Sequence, residues 1–570
     1  MRRTGIAAAL AVAVLGTAAF AVATPSGPGN RTSGSPTQYV VVYKSGASKA
    51  AARAAITAAG GRILRENRDI GVATVVSRNP GFITESSAAQ SVYGAARNRP
   101  VGRVAPVTRQ KFDPASVLGM KRAVRASRRA SRLGYAHHKR GPEPLAGLQW
   151  DMQMIHATTD GSYKKERGSR KTLVGVIDTG IDGNHPDIAP NFNRQLSRNF
   201  TTDIPLIDGD CNAEPDHSCS DPNDVDENSH GTHVASTIGS PINGLGMAGV
   251  APDVTLVNLR AGQDSGFFFL QPSVDALTYA GDHGVDVVNM SYFIDPWLFN
   301  CRNNAADSPA EQLEQRTIIE GTQRALDYAH LHGVTLIAAA GNDHMNLAQV
   351  STDTTSPDFP PGTSRTRAVN NNCLILPEQG NNVMGVSSVG PSKRKSDFSN
   401  YGYEKITVSA PGGWFRDDVR QGAPTARVPE NLILAAYPAN DPDDLINPDG
   451  TPNTPFAVRD CKGSTCAYYQ WIQGTSMASP HAVGVAALII SKYGDRRGGG
   501  LTLNPLLTQA YLEGTATDTP CMTPNPFSYA AFGPNRGPEY DTFCEGTPVY
   551  NGVYGHGIVD ALAAVTQGLN

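Results

Sequence analysis

The chain has 570 residues, more than one core ordinarily fills, and with 40% hydrophobic and 18% charged residues its composition excludes the disordered and membrane classes but names no activity. The net charge of −3 conceals a division: residues 1–143 hold 23 Lys and Arg against 5 Asp and Glu, a net +18, and the remainder holds 26 against 47, a net −21. Such opposition favours docking of the first part on the second, the bland alternative being basic residues that only decorate a solvated linker.

Arg2 and Arg3 precede an apolar or small-residue run, Ile6 to Val22, and Ala21-Val22-Ala23 offers a small-x-small cleavage site. This is the pattern of a secretory signal peptide over residues 1–23, with an uncleaved anchor as the alternative; no later stretch is long and apolar enough to cross a bilayer. Residues 24–37 form a Pro/Gly/Ser-rich linker. Over 38–110 the pattern predicts a strand at Gln38 to Tyr43, a helix at Ser48 to Ala59, strands at Arg62 to Arg65 and Val72 to Val76, a helix at Ala88 to Arg97 and a strand at Val101 to Val107. The order β-α-β-β-α-β implies a small α+β domain.

Residues 111–143 form a basic linker, with eight Lys or Arg and no acid between Lys121 and Arg140 and dibasic steps at Arg128-Arg129 and Lys139-Arg140. An exposed, cleavable segment is expected there. A basic run can bind nucleic acid, but export argues against that partner, and no membrane association is expected once the signal is removed.

From residue 144 to residue 570, apolar strands (Thr172 to Ile177, Thr255 to Leu259, Val285 to Met290, Val334 to Ala339) alternate with helical patterns (His233 to Ile238, Pro272 to Asp282, Glu311 to His332). That alternation predicts an α/β domain on a mainly parallel sheet. All eight cysteines lie in this part, and in an oxidising compartment the short spacings favour Cys211–Cys219, Cys461–Cys466 and Cys521–Cys544, leaving Cys301 with Cys373.

Three local sequences carry chemistry. Val174-Gly-Val-Ile-Asp178-Thr-Gly puts an acid at the end of an apolar strand, where a buried carboxylate can hold an imidazole; alone it is as readily a turn former. Asn228-Ser-His230-Gly-Thr-His233 sets two histidines three apart at a helix entry, a spacing that does not match the four-apart pairs of zinc peptidases, and His233 reads as a core histidine. Gln473-Gly-Thr-Ser476-Met-Ala-Ser-Pro starts a long Ala/Val helix whose free amides favour a developing anion beside Ser476; a plain helix cap is the alternative.

Taken together and in the order Asp, His, Ser, these motifs resemble the subtilisin-like serine peptidases, with Tyr554-Gly-His-Gly-Ile-Val-Asp560 similar to that family's closing segment. The resemblance implies a three-layer α/β domain preceded by a small α+β propeptide domain over 38–110, removed autocatalytically near residues 110–143. It further implies secretion and endopeptidase activity on protein or peptide substrates, with the propeptide as intramolecular inhibitor. By the same resemblance Ser476 is the nucleophile, His230 the base, Asp178 its orienter and Asn342 the oxyanion-hole donor, while Ser291 and Gly341 pair with an extended substrate. No cofactor is expected for catalysis. A structural calcium ion is expected at Asp187 and Asn243, against a plain glycine-rich loop, since the N-terminal glutamine ligand has no clear counterpart. Tyr292 and Phe293 stand where small residues are usual, and residues 206–228 and the stretch before Ser476 are insertions, so substrate preference does not carry over. A catalytically silent secreted binder on the same scaffold and an esterase using the same triad are the competing readings.

Overall fold

The computed structural model describes residues 36–98, 100–103, 143–205, 207–213, 217–294, 296–358, 363–417, 428–438, 445–497 and 500–568. The signal peptide, nearly all of the Pro/Gly/Ser-rich linker and all but the last residue of the basic linker lie outside them. Among the described residues no helix is long and apolar enough to cross a membrane.

The N-terminal domain is an antiparallel sheet of β1 (Thr37–Tyr43), β2 (Gly61–Asn67), β3 (Val72–Ser77) and β4 (Val92–Arg97) in the order β2-β3-β1-β4, with α1 (Lys49–Ala58) and α2 (Phe82–Ser87). The predicted helix at Ala88 to Arg97 is a strand instead. Its residues Val92, Ala95 and Ala96 are buried on both sides of the sheet, and pairing with β1 overrides the helical preference of alanine. The predicted last strand exists as β5 (Pro100–Arg103), but it leaves this sheet and pairs antiparallel with β9 (Phe267–Phe269) of the larger domain.

Alternation along β1 explains the docking. Tyr39, Val41 and Tyr43 face Ile56 and Phe82 of the domain's own helices, whereas Val40 and Val42, with Ile70, Val72 and Ala96, join an apolar cluster of the larger domain. That cluster lies on α5 (Leu270–Asp282) and α6 (Pro309–Leu331). Polar links frame it: Arg65 meets Asp275 at 2.9 Å, Asn67 Nδ2 donates to Thr278 Oγ1 at 2.7 Å, and Arg324 Nη1 donates to the carbonyl of Tyr43 at 2.7 Å. Apolar burial rather than the opposed net charges dominates this contact.

The larger domain is built on seven parallel strands in the order β13-β12-β11-β10-β6-β8-β7: β6 (Leu173–Ile177), β7 (Arg198–Asn199), β8 (Thr255–Arg260), β10 (Val287–Met290), β11 (Thr335–Ala339), β12 (Val383–Val389) and β13 (Val408–Pro411). Adjacent residues feed opposite faces: Val287 and Ile337 pack under α4 (His230–Gly239) and α7 (Thr475–Tyr493), and Val288 and Leu336 under α5 and α6. This is the expected three-layer α/β arrangement, and burial on both faces explains strands that read as continuous apolar runs. Helix α7 is buried from Thr475 to Ile490, which is why it is apolar all round.

The cysteines pair as expected, Cys211–Cys219, Cys301–Cys373, Cys461–Cys466 and Cys521–Cys544. Cys461 and Cys466 staple the hairpin of β15 (Ala457–Lys462) and β16 (Thr465–Ile472), which with β14 (Ile433–Ala436) forms a three-stranded sheet. The acidic insertion is tied down by buried Arg260, which meets Asp221 at 2.5 Å, Asp264 at 2.8 Å and Asp203 at 3.6 Å. Asp203, Asp221 and Asp264 form an acidic cluster, and the guanidinium is its internal counterion.

One position reads out the docking of the two domains. A Cβ at Gly94 would lie 2.3 Å from Thr317 Oγ1 on α6. Gly94→Val is expected to cost about 1–3 kcal/mol at that contact and to expose β4 to added protease in the intact chain, followed by mass spectrometry; unchanged digestion would contradict the packing described.

Candidate active site

The predicted residues come together at the carboxyl ends of the parallel strands, where loops and helix N-termini converge. Asp178 directly follows β6, and its carbonyl accepts from the amides of Ala261 and Gly262 at 3.0 Å each. His230 is the first residue of α4, entered through Ser229 at φ 74°, a left-handed conformation uncommon outside glycine. Ser476 is the second residue of α7, and Asn342 lies in the loop after β11.

Asp178 has no exposed surface and His230 is 2% exposed. Nδ1 of His230 lies 2.7 Å from Oδ1 of Asp178, which also accepts from the amide of Thr179 at 2.8 Å. The imidazole is therefore held with its proton on Nδ1, and Nε2 meets no protein partner. Ser476 donates its hydroxyl to the carbonyl of Ser291 at 3.3 Å, while Ser291 Oγ returns a bond to the Ser476 carbonyl at 3.0 Å. No hydrogen bond joins the Ser476 hydroxyl to Nε2 in this structure, as is common in unliganded sites.

Asn342 turns its oxygen inward, accepting from Thr475 N and Thr475 Oγ1 at 2.9 Å each. Its amide nitrogen consequently lies over Gly474, beside Ser476. Gly341, at φ 99°, donates its amide to Thr475 Oγ1 at 3.1 Å, and its carbonyl accepts from Asn400 N at 2.9 Å. These two bonds fix the Gly341 turn within the loop that carries Asn342. Thr475 and Asn400, which accepts from the amides of Asp343 and Met345, were not singled out in the sequence. Thr475 adjoins the Ser476 motif and could have been found there; Asn400 is 58 positions from Asn342, and no local signal marks it.

Tyr292 is buried and stacks on Phe268 with ring centroids 4.2 Å apart, while Phe293 packs on the Leu298–Phe299 cluster. His233 is a core histidine as expected: Nε2 faces the carbonyls of Ile433 and Gln470, and desolvation pushes its pKa down to about 3.

The calcium expectation is not met by the donor set. Asp187 Oδ1 accepts from Asn243 Nδ2 at 3.0 Å, and Oδ2 from Met247 N at 3.1 Å and Tyr469 Oη at 3.0 Å. Asn243 Oδ1 accepts from Leu245 N, its carbonyl from Lys462 Nζ, and Gly246 N donates to Asp460 Oδ2. Glu143 brings a further buried carboxylate whose oxygens have no hydrogen-bond partner, and burial pushes its pKa up against the nearby amides of Asn243, Gly244 and Leu245 and the charge of Lys462. The loop thus presents N–H groups to carboxylates, the reverse of a cation shell of oxygens. The residues do not fit a calcium ion, because the hairpin β15–β16 supplies the cross-links.

Two outcomes follow for this loop. Excess EDTA should leave the thermal midpoint unchanged, whereas Tyr469→Phe, which strips a donor from a buried carboxylate, should cost about 1–3 kcal/mol; a fall in midpoint with EDTA would contradict the assignment. His185, buried against Tyr469, has its pKa pushed by desolvation down to about 4. Its neutral form stabilises the fold fully above pH 6.5, and that contribution is lost as pH falls through 4. The gap in urea midpoint between the native chain and His185→Gln should accordingly narrow on acidification over that window.

A family model described as the subtilase family matches residues 169–533. Subtilisin DY of Bacillus licheniformis is 27% identical over 320 residues, 56% of this chain and 77% of that one. The nisin leader peptide-processing serine protease NisP of Lactococcus lactis subsp. lactis is 28% identical over 349 residues, 61% of this chain but only 44% of that longer protein. The crystal structure of the epidermin leader peptide processing serine protease of Staphylococcus aureus covers 93% of this chain and 99% of its own at a TM-score of 0.59 and 20% identity, a likeness of fold. The match across most of the larger domain identifies the chain as a member of the subtilase family of serine endopeptidases.

Proposed function

We propose that this chain is a secreted endopeptidase, made as a self-processing zymogen, that hydrolyses peptide bonds through Asp178, His230 and Ser476. The observation that carries the reading is the buried 2.7 Å contact of His230 Nδ1 with Asp178, which leaves Nε2 unpartnered beside the helix whose second residue is Ser476.

In this reading Ser476 rotates off the Ser291 carbonyl and gives its proton to His230 Nε2 as Oγ attacks the substrate carbonyl carbon. Asp178 holds the tautomer and stabilises the imidazolium. The oxyanion then forms near the amide nitrogen of Asn342 and the backbone amide of Ser476 at the positive end of α7. His230 returns the proton to the leaving amine, and water repeats the sequence on the acyl-enzyme. No metal or cofactor is called on. The pairing of β5 with β9 supports the N-terminal domain as the propeptide, because it lays the outgoing chain as an extended strand on the catalytic domain. The substrates are polypeptides, and autocatalytic cleavage between residues 110 and 143 releases the mature enzyme.

Expression of the full chain beside Ser476→Ala and Asn342→Leu tests this. Ser476→Ala should abolish precursor processing and lower casein hydrolysis by about 10⁶-fold, and Asn342→Leu should lower kcat by about 10²–10³-fold with KM little changed. Processing and hydrolysis that persist in Ser476→Ala would overturn the proposal.

A further inference from the structure

The buried carboxylate of Asp226 has no part in the chemistry outlined above, yet it touches both segments that bring Asp178 and His230 together. It has no exposed surface. Its Oδ1 accepts from Thr179 Oγ1 at 3.1 Å, Asn228 N at 3.2 Å and Ser229 N at 3.1 Å. Its Oδ2 accepts from Thr232 N at 2.9 Å and Thr232 Oγ1 at 2.5 Å. Thr179 is the residue after Asp178, and Ser229 and Thr232 flank His230 in the first turn of α4. Thr179 Oγ1 in turn accepts from Gly231 N at 3.1 Å.

We propose that Asp226 is a positioning residue for the hydrolysis, its single carboxylate fixing the Asp178 strand end and the His230 helix entry in one rigid frame; the inference rests on the catalytic reading given above. Three features favour this over a generic buried acid. Ser229, at the cap position of α4, makes no side-chain capping bond, so its orphan amides are served from outside by Asp226. Ser229 also holds a left-handed conformation at φ 74°, and the bond from its amide to Oδ1 is what pins that costly turn. Finally, the two segments approach more closely than side chains allow. A Cβ at Gly231 would lie 2.1 Å from the Gly180 carbonyl and 3.1 Å from Asp178 Cβ, and one at Gly180 would lie 3.0 Å from Asp226 Cα. Glycines permit this approach; the carboxylate sets its angle. An ionised carboxylate accepts on both oxygens at once, whereas an amide of the same shape offers one acceptor and turns two donors towards donors.

The test compares the full chain with Asp226→Asn, Thr232→Val, which deletes one of the five bonds together with the acceptor of the Asp182 amide, and Ser476→Ala, using casein for turnover and a chromogenic peptide for kcat and KM. Asp226→Asn should lower kcat by about 10²-fold with KM within about twofold, the pattern expected when a base is misplaced and substrate binding is not. Thr232→Val should show the same split at smaller size, about fivefold to tenfold, with a thermal midpoint close to that of the native chain. If Asp226→Asn does not mature, Thr232→Val decides the matter alone. Unchanged kcat in Thr232→Val, or kcat and KM changing together in step with the thermal midpoint, would overturn the positioning role. Full activity in Ser476→Ala would instead overturn the catalytic reading on which it rests, so the two failures are distinct.

Discussion

A carboxylate with no exposed surface, Asp178, sits 2.7 Å from an imidazole that is itself buried, and much of the surrounding structure follows from keeping that pair in place. A buried charge is tolerated only where donors and a partner compensate it. Here Oδ1 collects both the His230 ring and the Thr179 amide while Oδ2 has no hydrogen-bond partner, and the strand end that carries the carboxylate is fixed by the amides of Ala261 and Gly262 on the Asp178 backbone carbonyl. Parallel strands make this economical, since successive strand ends and helix starts meet on one edge of the sheet. Asp178, His230, Ser476, Asn342 and Ser291 all lie at such junctions, although they span about 300 positions of sequence.

The same rule, that buried carboxylates gather donors, recurs away from the active site and gives each insertion a role. Arg260 ties Asp221 of the 206–228 insertion to Asp203 and Asp264 outside it, and the hairpin β15–β16 brings Tyr469, Asp460 and Lys462 to the loop of Asn243 and the carboxylate of Asp187. In that loop a protein hairpin does the cross-linking that a bound cation does when a loop turns its carbonyls inward. The N-terminal domain follows a different rule. Its sheet presents Val40, Val42 and Val72 to α5 and α6, and the few polar links around that apolar patch fix orientation more than they supply attraction.

The α/β class, four of the seven parallel strands, the helix at Ser476 and all four disulfides were legible in the sequence because each is set by local periodicity, compartment and short spacing. The strand at Val92 to Arg97 was not, because an alanine-containing stretch prefers helix until a neighbouring strand pairs with it. Nor could local pattern place β5 on β9, a pairing across more than 160 positions, or reveal that the Gly341 backbone is already bonded to Thr475 and Asn400. The calcium expectation failed for a related reason. Asp187 and Asn243 have the residue types for oxygen ligation, but a sequence does not say whether a carboxamide offers its oxygen or its nitrogen.

By itself, then, the sequence determined which groups are the candidates for the chemistry: Asp178, His230 and Ser476 are each embedded in a local motif whose backbone conformation is encoded within a few residues. Only the tertiary structure decided how those groups face one another and what surrounds them. Hydrogen-bond direction, burial and the closeness of two glycines, as at Asp226 between Gly180 and Gly231, arise where distant segments meet, and no short window of sequence contains both sides of such a contact.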